Sequence, residues 1–103
     1  MSDLAVANEI RRQLGSQAFA LLGASQLVGG ENFLQFSIRG CRKINKIRIE
    51  LDANDTYTVS FWHIGRGGEN VQKIAECDGV CCDMLHDVIE LETRLYTTFH
   101  ARR

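Results

Sequence analysis

The sequence predicts an α+β fold, an antiparallel meander of about four strands packed by a long C-terminal helix, in the order α-α-β-β-β-β-α. Three observations carry this. Between residues 43 and 64 the chain alternates with period two: Ile47, Ile49 and Leu51 against Lys46, Arg48, Glu50 and Asp52, then Tyr57, Val59 and Phe61 against Thr56, Thr58 and Ser60. Near the C-terminus Val80, Met84, Val88, Leu91 and Leu95 step by four, four, three and four, a helical period. At the N-terminus Leu4, Ala7, Ile10 and Leu14 form one apolar helical stripe.

In chain order, Ser2 or Asp3 is placed to cap a first helix that runs to about Leu14, where Gly15 ends it. Ser16 then caps a second short helical turn, closed by Gly23. Gly29 and Gly30 break the chain before a strand over residues 32–39, in which Leu34, Phe36 and Ile38 alternate with Gln35, Ser37 and Arg39. The next two strands form a hairpin whose register follows from parity. For Ile49 and Val59 to share a face, the loop must hold an odd number of residues; Ala53, Asn54 and Asp55 satisfy this, with Asn54 or Asp55 in the left-handed conformation. Gly65 to Gly68 ends the hairpin, residues 71–77 read as a fourth strand, and the long helix runs from Asp78 or Gly79 to Tyr96. The N-terminal helix must bury its stripe against the sheet edge, the long helix or a second subunit, so a homodimer is one of its options.

Composition narrows the function classes. At 103 residues, with 45% hydrophobic and 24% charged content, the chain is expected to form a single α+β domain over residues 1–103. No run reaches the roughly 20 apolar residues of a membrane span and no charged-then-apolar leader opens the chain, so the expectation is a cytoplasmic protein without a membrane partner. The formal net charge is −1, which offers no global attraction for nucleic acid. Yet Arg39, Arg42, Lys43, Lys46 and Arg48 form a local basic patch.

Four cysteines are present, Cys41, Cys77, Cys81 and Cys82. Adjacent Cys81 and Cys82 on a helix are poor bridging geometry, so reduced thiols are expected. Cys82 and His86, four residues apart on the expected helix, suggest either part of a zinc site with Cys77 and Cys81 or a nucleophile and base. The spacing fits no standard zinc motif, no third group orients the pair, and Cys81 falls on the apolar stripe as a small buried residue. The expectation is therefore no metal, no cofactor and no enzymatic activity; a cysteine-dependent enzyme is the third-ranked alternative. His63 is read as a strand-end residue and the glycines at 65–68 as turn formers.

The strand parity that places Tyr57, Val59 and Phe61 in the core sends Trp62 and Ile64 to the opposite face, beside Arg48 and Lys46. Trp and Arg are enriched where interfaces concentrate their energy, so Trp62, Ile64, Arg48, Lys46 and Arg39 are the expected partner-binding residues. Two further readings apply to this face. The basic hairpin with Trp62, read as the single aromatic on that face, suits a nucleic-acid-binding module. Alternatively, the N-terminal helix lies across the face and buries Trp62.

The stretches LGSQAFALLGASQLVGGENFLQF, INKIRIELDANDTYTVSFWHIGRG and DGVCCDMLHDVIELETRLYT, in that order, resemble a family of small uncharacterised proteins encoded by tailed phages and prophages. That family reads LGG and an aromatic, MTGA, NF, a strand, N-x-(V/I)-x-I-x-L ending in D-x-Y, and a closing GVYA…L…LYTSL. The resemblance covers residues 14–98. Here Gly15-Ser16 stands for the double glycine, Leu22-Gly23-Ala24 departs from MTGA, and Cys81-Cys82 replaces the Tyr-Ala pair, which argues against a family metal site. The resemblance implies the cytoplasm of a bacterial host cell and a non-enzymatic accessory protein that binds a protein or nucleoprotein, including inhibition of a host defence complex in the manner of an anti-CRISPR.

Overall fold

The structure, a computed structural model, describes residues 4–95. It is α+β, as the alternation and the helical stripes imply, but its sheet has five strands where four were expected. A helix α1 (Ala5–Leu22) precedes β1 (Ser25–Gly29), β2 (Phe33–Ser37), β3 (Lys46–Leu51), β4 (Tyr57–His63) and β5 (Gln72–Val80), and α2 (Leu85–Thr93) follows. The strands form one antiparallel sheet in sequential order.

The two expected N-terminal helices are the two segments of α1, which meet at a kink where the first was expected to end. Gly15, at φ 85° and ψ 155°, leaves the helical conformation within α1, and Gly23, at φ 67°, ends it. The Ala24 N–H bonds the Phe19 carbonyl at 2.9 Å, closing the helix in a left-handed cap. Ser2 and Asp3 lie outside the described residues. Ala7, Ile10 and Leu14 are buried as the stripe predicts, while Leu4 remains 43% exposed at the helix start. The stripe continues through Ala18 and Leu22 into the same core as Leu34, Phe36, Ile47, Ile49, Val59 and Phe61. The α1 stripe is therefore covered within the chain, by the sheet and α2.

The hairpin register is the one parity demands. Ile49 opposes Val59 and Leu51 opposes Tyr57. The Asp52 N–H bonds the Thr56 carbonyl at 2.8 Å, leaving Ala53, Asn54 and Asp55 as the loop, and Asp55 takes the left-handed conformation at φ 67°.

The unforeseen strand, β1, is exposed along its whole length and bulged between Ser25 and Val28, with Gln26 at φ 55°. A bulge destroys strict alternation, so the segment carries no period-two signature. Its last residue has a packing role. A Cβ on Gly29 would lie 2.8 Å from the Ala7 Cβ, so the bare backbone lets α1 approach the sheet. Gly29→Ala is expected to cost about 1–3 kcal/mol, the usual range for overpacking, read as a lower urea midpoint at unchanged slope.

The C-terminal half departs from expectation most. Residues read as the start of a long helix instead prolong β5 to Val80. Gly79, at φ 66°, sits where the register against β4 shifts, and the resulting bulge returns Val80 to the core opposite Tyr57. A 3₁₀ turn over Cys82–Met84 follows, and α2 begins only at Leu85. Because Val80 belongs to a strand, its phase does not carry into the helix. The buried face of α2 is Leu85, Ile89 and Thr93, with Val88 half-buried beside it; Met84 and Leu91 are 44% and 68% exposed. Thr93 closes the helix by donating its hydroxyl to the Ile89 carbonyl at 2.7 Å, and Arg94 turns left-handed at φ 62°. Tyr96, the expected helix end, lies outside the described residues.

Candidate docking face

Both helices pack on the Phe61 face of the sheet, and among the described residues neither crosses the other face. The reading in which α1 buries Trp62 is thereby corrected. Antiparallel sheets commonly leave one face to solvent, and here Phe33, Gln35 and Ser37 of β2, Lys46, Arg48 and Glu50 of β3, and Thr58, Ser60 and Trp62 of β4 occupy it.

Lys46 stands directly opposite Trp62, and Arg48 opposite Ser60 on one side and Gln35 on the other. The Trp62 Nε1 donates to the Ser60 hydroxyl at 3.0 Å, and the Lys73 ammonium lies 5.3 Å from the Trp62 ring centroid. Arg48 donates to the Gln35 amide oxygen at 3.1 Å with its guanidinium 3.8 Å over the Phe33 ring. Glu50 approaches Arg48 at 4.0 Å and accepts from the Asn32 amide at 3.4 Å.

Ile64 lies beyond the end of β4, yet Asn45 holds it in place. The Asn45 side chain accepts from the Ile64 N–H at 2.8 Å and donates to its carbonyl at 2.9 Å, while the Asn45 N–H bonds the Trp62 carbonyl at 2.9 Å. Gln35, Lys46, Arg48, Trp62 and Ile64 consequently line one groove of about 360 Å³. Four of the five expected binding residues meet there. Arg39 does not line it: its N–H bonds the Leu22 carbonyl at 3.0 Å and its Cβ sits beside Gly23, at the end of α1. Phe33, Gln35 and Lys73 were not anticipated. Phe33 had a readable signal, since it shares parity with Gln35 and adds a second aromatic to a face expected to carry one.

The cysteine and histidine readings change as well. Cys82 lies in the 3₁₀ turn and His86 in α2, so the two are not neighbours on one helix face. Cys81 is exposed, not buried, and Cys82 likewise; Cys41 and Cys77 are half-buried against the core, and all four are unbridged. The His86 Nε2 lies 3.4 Å from the Gln13 carbonyl. His63 ends β4 opposite Gln72. Among the described residues no group of three or more His, Cys, Asp or Glu is placed to hold a metal, and no helix is long and apolar enough to cross a membrane.

One titration is displaced. Burial pushes the Tyr57 hydroxyl above its ordinary value of 10.0; its 3.1 Å hydrogen bond to the Gln13 amide oxygen opposes the shift and the neighbouring Cys82 thiol, when ionised, adds to it. A raised folded-state value means that Tyr57 supports the fold fully below pH 10.0 and that this support is lost as pH rises through the folded-state value. Tyr57→Phe is expected to lose about 1 kcal/mol near neutrality with the hydrogen bond. Its melting temperature should also fall less steeply than that of the wild type in an alkaline melting series.

Comparison with protein-family models, with curated proteins and with solved structures yields no match for this chain.

Proposed function

We propose that the protein is a non-enzymatic phage or prophage accessory protein that acts by macromolecular interaction, docking on a protein or nucleoprotein through the open face of its sheet around Trp62. Inhibition of a host defence complex, as by an anti-CRISPR, is the role this reading fits best. One observation carries it: Trp62 and Ile64 stand with Lys46 and Arg48 around a groove that neither helix covers. An indole, an aliphatic side chain and an arginine in one concavity match the composition of interface centres. The motif order over residues 14–98 supplies the phage setting.

The test is Trp62→Ala. Half-buried and outside the core cluster, Trp62 should cost about 1 kcal/mol of stability when truncated, near the range of surface changes. Capture of a partner from lysate of phage-infected bacteria should be saturable with the wild type and lost with the variant. Undiminished capture by a folded Trp62→Ala chain would remove this face as the docking surface.

A further inference from the structure

Resting on the docking reading above, we infer that the Trp62 groove takes a nucleotide unit of single-stranded nucleic acid. The groove is lined by two cations, an indole, an amide and an aliphatic side chain, with no carboxylate among them. Among the described residues Lys46 has no ion-pair partner. Glu50 approaches Arg48, but it lies outside the groove lining and also accepts from Asn32. On the same side Glu76 pairs with Lys73 at 2.7 Å and Asp52 accepts from the Thr58 hydroxyl at 2.7 Å; neither lines the groove. The groove thus combines a flat π surface with positive charge, the combination by which proteins hold single strands: bases stack on aromatics while cations follow the phosphates.

Two further features favour a strand over an isolated anion. The volume of about 360 Å³ lies near the lower end of the roughly 300–1,000 Å³ that accommodates one small ligand unit. A second concavity of about 220 Å³, lined by Gln26, Ser37, Ile38, Asn45, Lys46 and Ile64, adjoins the first. It shares Lys46 and Ile64 with it and is again without a carboxylate. Lys46 therefore stands between two adjacent concavities, where the phosphate linking two nucleotide units would run. Phe33 on the same face stacks against the Arg48 guanidinium, 3.8 Å from its ring centroid, and so fixes that cation beside the groove. A duplex offers its bases only edge-on in its grooves, so an unpaired strand is the form that meets Trp62.

Trp62 is the sole tryptophan of the chain, so tryptophan emission, excited selectively over the two tyrosines, reports on this groove alone. Titration of the full chain with oligothymidylate and with oligouridylate of about 15 nucleotides, a length within single-domain site sizes, should quench the emission saturably. The apparent affinity should fall linearly on logarithmic axes with salt, and the two oligomers separate DNA from RNA as the source. Lys46→Glu and Arg48→Glu, each folded by circular dichroism, should weaken binding at least tenfold. Trp62→Phe should retain part of it when anisotropy of a labelled oligomer is followed. Polyglutamate of matched charge should not compete. No quenching at low salt would overturn the inference, and equal competition by polyglutamate would overturn it in favour of an acidic peptide. In either case Trp62-dependent partner capture would leave the docking reading standing. Conversely, capture indifferent to Trp62→Ala would remove that reading by a separate measurement.

Discussion

Phe61→Ala should lower the unfolding free energy by about 3–5 kcal/mol, the range for a buried aromatic truncated to alanine. Phe61 is fully buried on β4, between Ile47 on one neighbouring strand and Ala75 on the other, so its ring fills the middle of the sheet's covered face. Ile49→Ala should cost about 2–4 kcal/mol, because Ile49 too is fully buried, in register with Val59. Val88, grouped with these by the helical stripe, is only half-buried, and Val88→Ala should cost about 1 kcal/mol. Urea unfolding of the three variants checks the ordering. A near-wild-type midpoint for Phe61→Ala would mean that the core lies on the other face, and Trp62 would then have to be a core residue.

The parts of the fold legible in the sequence are those where one physical rule acts without interruption. Between Lys46 and His63 strict alternation, an odd loop and one left-handed residue determine register to the residue. The α1 stripe is legible for the same reason, and glycines at 15 and 23 mark its bend and its end. Where a bulge intervenes, legibility stops. Gln26 breaks β1 and Gly79 breaks β5, and both strands escape a period-two reading or are cut short by it. The same holds for the site. Parity alone brings Trp62, Arg48 and Lys46 together. It extends to Arg39 wrongly, because the strand has ended: Ile38 already bonds the Asn45 carbonyl and Gly40 turns at φ 90°. The groove also depends on Asn45, whose side chain braces Ile64 through both its polar atoms, an interaction between residues nineteen apart that no local pattern announces. Several residues that carry the phage-family resemblance, Gly15, Gly23 and the Asp52–Tyr57 hairpin end, have structural roles here. They mark the fold and do not line the groove.

The rotation of α2 gives the second large effect, because the two candidate faces of that helix make opposite demands on neighbouring positions. The stepped pattern from Val80 to Leu95 would bury Leu91 and leave Ile89 off the stripe. In the structure Ile89 is fully buried and Leu91 is 68% exposed, since the helix starts at Leu85 and takes its phase from Leu85 and Ile89. Ile89→Ala should therefore cost about 2–5 kcal/mol, whereas Leu91→Ala should change stability by no more than about 0.5 kcal/mol. Both residues have good helix formers as replacements, so intrinsic propensity does not create the difference. It measures burial alone. Leu85→Ala should behave like Ile89→Ala, as Leu85 is fully buried at the start of the helix, and Met84→Ala, in the exposed 3₁₀ turn, should behave like Leu91→Ala. If Leu91→Ala proved the costly one and Ile89→Ala the neutral one, the helix would be rotated toward the stepped stripe. The strand would then have to end before Val80, and Tyr57 would lose the partner that caps its side of the core.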